Sequence, residues 1–541
     1  MRKKFEILLI LFVLLCPITK TFGHVNIVPL PQKVVEHSGN FIFKSGQCIG
    51  FSDATLKDAA VYLKHIMIPT GYRFTLKKGS GDINLVLLSK ADKQNESYTL
   101  SVTNKKIYIK AKSYRGIVNG ISSLRQLLPE QIEANKIVKS MKWTVPAVEI
   151  ADKPAYAWRG LMLDVSRHFY TKKEVERFLD IMALYKFNKF HWHLTDDQGW
   201  RVQIKKYPLL TEKGAWRKMI NIDQICMNRE KTENNPDFVI PKENFKVVDG
   251  DSLYGGYYTQ QDIRDVVKYA AIRGIDIIPE LDMPGHCFAA VANYQYITCF
   301  KTPSWGALFS APICPGRDAA IDFCKNVYKE IFSMFPYGYV HLGADEVDKT
   351  NWQKCPECQA RIKAEGLKSE VELHSWFVHQ MEKFFNANGK RLIGWDEILE
   401  GGLSSTATVD WWRGEIGDVV KKTTDHGNEV ILCPTTYCYF DYPQDNNTIE
   451  RIYRAPIVPE GLSDKQLPLI KGMQANLWTE MIPSNARLQF MAFPRALALA
   501  ERAWTSTNLQ SWEDFAIRLQ SQLKRMDVMK VKYRKLETDI K

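Results

Sequence analysis

At 541 residues, with 45% hydrophobic and 25% charged side chains, the chain sits near the average of folded globular proteins. That composition excludes a disordered or fibrous class, and the length exceeds the roughly 100–200 residues of one domain, so two or three domains are expected. The formal charge of +12 falls to +9 without residues 1–23, and the basic residues are scattered apart from a stretch near Lys524 to Lys535. With no nucleic-acid-reading motif beside it, that stretch reads as a solvated helix face rather than a nucleic-acid site.

The N-terminus runs Met1-Arg2-Lys3-Lys4, then apolar from Ile7 to Leu15, then Thr21-Phe22-Gly23. This is the pattern of a cleaved signal peptide over 1–23, so the protein is expected to be exported to the periplasm, the cell surface or the medium. The apolar run is shorter than the roughly 20 residues that span a bilayer, and no later segment supplies one, so no membrane span is expected. Cys16 offers lipid attachment as an alternative, against which Leu15 is a poor small-residue match.

Residues 24–152 carry short strands and two helical stretches, including a hairpin of Tyr98–Val102 and Ile107–Ile109 across Asn104-Lys105, and read as a small α/β domain. Within it, Ile117, Ile121, Leu124, Leu127 and Leu128 line one helical face. From 153 to 505, short apolar runs alternate with longer amphipathic segments. The candidate strands are Gly160–Val165, Lys189–Leu194, Ile275–Leu281, Tyr339–Gly343, Leu392–Trp395, Thr408–Trp412, Glu429–Pro434 and Gly472–Leu477. Eight such units predict an α/β fold of the (β/α)8 TIM-barrel type. Thr171 and Glu174 form a capping box ahead of the face Val175, Phe178, Leu179 and Met182. The polar stretch 218–258 reads as a long irregular loop, and 506–541 as a C-terminal helical segment.

Ten cysteines follow the leader, an even number compatible with disulfides in an oxidising compartment. Cys355-Pro-Glu-Cys358 has the form of half a zinc site, but no second such pair follows at zinc-ribbon spacing. A local disulfide or two free thiols is the reading; no metal and no cofactor is predicted.

Catalytic groups of a barrel lie at the C-terminal ends of its strands. Here those ends read His193-Leu194-Thr195-Asp196-Asp197-Gln198-Gly199-Trp200-Arg201, Pro279-Glu280-Leu281-Asp282-Met283-Pro284-Gly285-His286 and His341-Leu342-Gly343-Ala344-Asp345-Glu346-Val347-Asp348. Later strands add Trp395-Asp396-Glu397, Trp411-Trp412-Arg413, Tyr439-Phe440-Asp441 and Trp478-Thr479-Glu480. Flat rings beside carboxylates suit a sugar, whose C–H face stacks while its hydroxyls need polar partners. Asp345 and Glu346 are adjacent, and neighbours on a strand point to opposite sides, so both serve one ligand only if the chain turns at the strand end. Holding the two close is expected to keep a proton on one of them.

The segments HLGADEVD, HWHLTDDQGWR and PELDMPGH resemble the motifs of family 20 glycoside hydrolases, the β-N-acetylhexosaminidases, and the region before the barrel resembles that family's small N-terminal domain. The resemblance implies a retaining, exo-acting mechanism in which the substrate's own 2-acetamido oxygen is the nucleophile. It implies Glu346 as general acid and then base, and Asp345 as the group that orients and stabilises the acetamide. It also assigns Arg159, Asp441 and Glu480 to the terminal sugar's hydroxyls and Tyr439 to the acetamido carbonyl. Trp395, Trp412 and Trp478 become the pocket walls, with His286 and Asp197 in support.

Other readings of these residues stay open. For Arg159, at a strand start, an ion pair at the barrel's N-terminal edge is the lesser alternative to the sugar contact, and Trp411 is expected in the core. Asp164, Asp196 and Glu397 can bind backbone or arginine instead of substrate. His191 and His193 share a strand face as metal-dependent amidohydrolase ligands do, although the rest of that pattern is missing. A non-catalytic glycan-binding protein of the same fold, and a member releasing sulfated sugars or disaccharides, are the alternatives. The segment Tyr439–Tyr442 resembles the version for neutral sugars, since a carboxylate repels sulfate.

Overall fold

The computed structural model describes residues 25–89, 92–300, 310–445 and 447–536; the expected leader over 1–23, Cys16 included, lies outside them. The first domain is a seven-stranded mixed sheet in the order Lys33–Ile42, Thr144–Asp152, Tyr98–Val102, Ile107–Ala111, Ile83–Leu87, Cys48–Phe51, Thr75–Lys78. The Tyr98–Val102 hairpin pairs Val102 with Ile107, and the helix Tyr114–Leu127 buries Ile117, Ile121 and Leu124 against the sheet.

Eight parallel strands then close into a barrel: β1 (Trp158–Asp164), β2 (Lys189–Asp196), β3 (Asp276–Leu281), β4 (Tyr339–His341), β5 (Arg391–Trp395), β6 (Thr408–Trp411), β7 (Val430–Leu432) and β8 (Ile470–Leu477). Closure is by β8 against β1, with Met473 level with Arg159. The strands are buried along nearly their whole length because helices cover the outside and side chains fill the inside. The first barrel helix, Lys172–Leu184, opens on the Thr171–Glu174 capping box and buries Val175, Phe178, Leu179 and Met182.

The stretch 218–258 departs from the irregular loop expected of it. It holds a helix, Asn221–Thr232, and a hairpin of Phe245–Val248 with Asp251–Gly255, to which Trp216–Arg217 adds a third strand. The helix buries only Ile222, Asp223 and Cys226, so its sequence carries almost no helical hydrophobic period. Polar contacts hold it instead: the buried Asp223 carboxylate is paired with Arg217, lies 3.3 Å from His168 Nε2 and accepts from the Ile220 N–H.

The two domains meet at the N-terminal end of the barrel through buried charge pairs. Lys186 Nζ lies 3.0 Å from Asp152 Oδ2, and Arg115 reaches Asp276 at 2.7 Å. Arg159 also belongs here, which corrects its assignment to sugar hydroxyls. Its guanidinium pairs with Glu96, donates to the carbonyls of Lys186 and Tyr156 and lies over the Trp504 ring. A side chain at the start of β1 cannot reach the opposite end of the barrel. The C-terminal helix Trp512–Met529 seals the joint, with Arg518 on Glu501 and the Ile27 carbonyl and Arg525 on Glu133.

Candidate active site

The loops at the C-terminal ends of the strands surround a pocket of about 320 Å³ lined by Arg167, His286, Asp345, Glu346, Trp395, Trp412, Tyr439, Asp441, Tyr442, Trp478, Glu480 and Met481. This is the low end of the roughly 300–1,000 Å³ of small-molecule sites, room for one sugar ring rather than several. It collects residues from the ends of β1, β4, β5, β6 and β8 and from the loops after β3 and β7.

The turn that brings two adjacent acids into one pocket is visible in the backbone. After β4, Gly343, Ala344 and Glu346 take φ of 79°, 73° and 48°. That is the left-handed region, costly for residues with a Cβ and rare outside turns and functional sites. Gly343 is required twice over, because a Cβ there would lie 2.0 Å from Asp282 Oδ1. The same Oδ1 accepts from the Ala344 N–H at 3.1 Å and so fastens the turn to the end of β3.

His286, itself at φ 46°, stands between the acids and a second carboxylate layer. Its Nε2 is 3.4 Å from Glu346 Oε2 and 3.7 Å from Asp345 Oδ2, while its Nδ1 is 3.3 Å from Asp196 Oδ1 and 3.5 Å from Asp197 Oδ2. Burial works against a charged imidazole, but Asp196, Asp197 and Glu346 outweigh it and hold His286 well above its ordinary range. Asp197 does not line the pocket. Its Oδ1 accepts from the Phe288 N–H at 2.9 Å and the Ser310 hydroxyl at 2.5 Å, so it anchors the loop that carries His286.

Asp282 and Asp345 are buried within 4.8 Å of each other and of His286. Burial and the Asp345 charge push Asp282 well above the carboxylate range, and burial likewise raises Asp345. The two acids thus share one buried site beside His286, where burial disfavours charge on both.

Arg167, three residues past the end of β1, is the pocket arginine. Its Nη2 is 2.8 Å from Asp196 Oδ2, its Nη1 is 3.6 Å from Glu480 Oε1, its Nε donates to Gln198 and its guanidinium lies over Trp478. Sequence reading overlooked it, although a strand's C-terminal end is where such a residue belongs. Asp441 faces the same corner, where burial and Glu480 push its carboxyl up to about 7. Of the aromatic residues, Trp395, Trp412, Tyr439 and Trp478 form the walls, with Trp412 and Tyr439 stacked at 6.1 Å; Trp411 lies in the core. Glu397, held by the Trp412 indole at 2.9 Å, is pushed up to about 8 by burial and by Asp345. Asp164 binds backbone N–H groups of Ser166, Arg167 and Thr479 rather than facing the pocket.

Below the floor, Glu280 is buried among His191, His193 and His341 and accepts from the Trp395 indole at 2.8 Å. Burial opposes charge on these groups, yet their mutual attraction raises His193 to about 10 and His341 to about 9 and holds Glu280 well below its usual range. Burial and the neighbouring His341 lower His191, so it is His193 and His341 that pair with Glu280 in a layer that orients the Trp395 indole.

Residues 156–507 match the model of the glycosyl hydrolase family 20 catalytic domain, and residues 24–153 match that family's domain 2. A beta-hexosaminidase of Porphyromonas gingivalis is 37% identical over 94% of this chain, which spans 64% of that relative's length. One of Vibrio furnissii is 33% identical, with 88% of this chain and 76% of the relative covered. Among solved structures, the GH20 exo beta-N-acetylglucosaminidase of Vibrio harveyi, in complex with N-acetylglucosamine, superposes with a TM-score of 0.80 at 31% identity over 95% of this chain and 79% of the other. The GH20 beta-N-acetylhexosaminidase of Streptomyces coelicolor A3(2) gives 0.79 at 28% identity over 95% of this chain and 98% of the other. With both domains matched, and the paired acids and tryptophan walls at the barrel mouth, the chain belongs to glycosyl hydrolase family 20 and is a glycosidase.

Proposed function

We propose that the chain is an exo-acting, retaining β-N-acetylhexosaminidase that removes terminal β-linked N-acetylglucosamine or N-acetylgalactosamine from oligosaccharides or glycoconjugates. The observation that carries the reading is the left-handed turn after β4, which aims Asp345 and Glu346 into one aromatic-walled pocket sized for a single sugar. In this reading Glu346 gives its proton to the departing glycosidic oxygen as the 2-acetamido oxygen closes on the anomeric carbon. Asp345 accepts from the acetamido N–H and offsets the positive charge of the oxazolinium-like intermediate. Glu346 then takes a proton from the water that opens the ring, so the anomeric configuration is retained. Asp282 fastens the turn that carries Asp345, and His286 orients Glu346.

Arg167, Asp441 and Glu480 take the outer hydroxyls. Two carboxylates at that corner favour a neutral sugar over a sulfated one. The export reading rests on the leader-like residues 1–23 and is tested by finding the mature N-terminus in the periplasmic, surface or secreted fraction.

Glu346→Gln is expected to lower kcat on an aryl β-N-acetylglucosaminide by about 10²–10⁴-fold while product binding persists. Asp345→Asn is expected to slow the same reaction severely. Comparable turnover of the plain aryl β-glucoside by the unaltered enzyme would defeat the acetamido role, and unchanged turnover in Glu346→Gln would defeat the acid assignment.

A further inference from the structure

Cys299, Cys314, Cys355 and Cys358 have no part in the pocket or in the proposed chemistry. All four are buried, are free thiols, and have their Sγ atoms within 4.8 Å of one another. Cys314 is 3.4 Å from Cys358 and 3.7 Å from Cys355, and Cys299 is 3.7 Å from Cys358. A zinc ion with Zn–S bonds of about 2.3 Å in tetrahedral geometry spaces its sulfurs about 3.8 Å apart. We propose that these four cysteines form a structural Zn²⁺ site that ties the loop after β3 to the loop after β4.

The surroundings hold the four sulfurs together. The turns Cys314-Pro315-Gly316 and Cys355-Pro356-Glu357-Cys358 sit back to back, and a Cβ on Gly316 would lie 2.4 Å from the Cys358 nitrogen, so a glycine is what lets them meet. Arg317 donates to the Thr298 and Cys299 carbonyls and pairs with Glu357 at 3.1 Å, which fastens the segment of Cys299 to that of Cys355 and Cys358. Val347, Trp352 and Leu373 pack around the sulfurs. Four thiolates in a closed apolar shell, with no position left for water, are the mark of a structural rather than a catalytic zinc.

The site also has a mechanical reason to exist. The two loops it joins carry His286 and the Asp345–Glu346 pair; they already touch through the Trp352 indole on the Ile313 carbonyl at 3.1 Å, and the Ile313 N–H on the Pro284 carbonyl at 2.9 Å ties that contact back to the His286 end of the first loop. The half-site in Cys355–Cys358 therefore finds its partners upstream, at Cys299 and Cys314.

The test is metal analysis of the full chain purified without added metal or chelator, together with the absorption spectrum of the cobalt-substituted protein. The expected result is one zinc per chain, released by a mercurial in step with the modification of Cys299, Cys314, Cys355 and Cys358, as followed by peptide mapping among the ten free cysteines of the described residues. Cobalt in its place should show thiolate-to-metal charge transfer and the visible bands of tetrahedral coordination. Cys299→Ser and Cys358→Ser should lose the zinc and lower Tm. If either variant fails to fold, the stoichiometry and cobalt spectrum of the unaltered chain still decide. Metal-free protein in which peptide mapping finds these four cysteines as free thiols, disulfides among them, iron in place of zinc, or zinc retained in the Cys299→Ser/Cys355→Ser variant would each overturn the proposal.

Discussion

Replacing Arg167 by Met separates the pocket arginine from its look-alike at the other end of β1. Arg167 is 8% exposed and serves Asp196, Asp164 and Glu480 at 2.8, 3.4 and 3.6 Å. Truncating one partner of a buried, hydrogen-bonded charge pair costs about 2–5 kcal/mol. Taking about 3 kcal/mol for lost contact to the sugar hydroxyls and lost order in Glu480, kcat/KM should fall about 10²-fold, at about 1.4 kcal/mol per decade. Arg159→Met removes a guanidinium of similar burial, but from the interdomain joint. Glu96 keeps Arg115 at 3.2 Å and Asn188 at 2.7 Å, so the stability loss belongs at the low end of the about 3–5 kcal/mol for a broken buried pair. Its kcat/KM should stay within about threefold, because no ligand contact is lost. The assay pairs kcat/KM on an aryl β-N-acetylglucosaminide with thermal unfolding of both variants. Arg167→Met with unimpaired kcat/KM, or Arg159→Met with impaired kcat/KM and an unchanged Tm, would refute the placement.

Stability should also depend on pH through Glu397. Burial and Asp345 push it from an ordinary value of 4.5 up to about 8, so the folded chain holds a proton that the unfolded chain releases. Its contribution is complete below 4.5 and lost as pH rises towards 8. Glu397→Gln mimics the protonated acid and should flatten that part of the Tm profile; an unaltered slope would show that the proton resides elsewhere. Gly343→Ala forces a Cβ to within 2.0 Å of Asp282 Oδ1 at a φ of 79°. Shifting the turn by even about 1 Å costs about 10² in rate, so kcat should fall by that order and Tm with it. Retention of full activity would mean that the turn accommodates a side chain.

Much of this molecule is written locally. The eight barrel strands follow from apolar runs of strand length between amphipathic helices, because burial on both faces leaves a continuous apolar signature. Likewise the capping box at Thr171–Glu174 and the hairpin at Val102 and Ile107 depend on residues a few positions apart. The motifs at the ends of β2, β3 and β4 and the aromatic residues after them marked the pocket and its ligand class.

Tertiary structure decided what depends on distance rather than pattern. Which end of β1 supplies the pocket arginine is one case: Arg159 and Arg167 flank one strand, and only barrel closure puts Arg167 beside Glu480 and Arg159 against Glu96 of the other domain. The helix Asn221–Thr232 is another, since Asp223 rather than an apolar stripe holds it. The four-cysteine cluster is a third, because Cys299 and Cys314 meet Cys355 and Cys358 only when two loops fold together. Hydrophobic period and turn chemistry act over a few residues and are legible in order. Ion pairs, shared protons and ligand sets are made between residues that the chain keeps far apart, and they exist only once the barrel has closed.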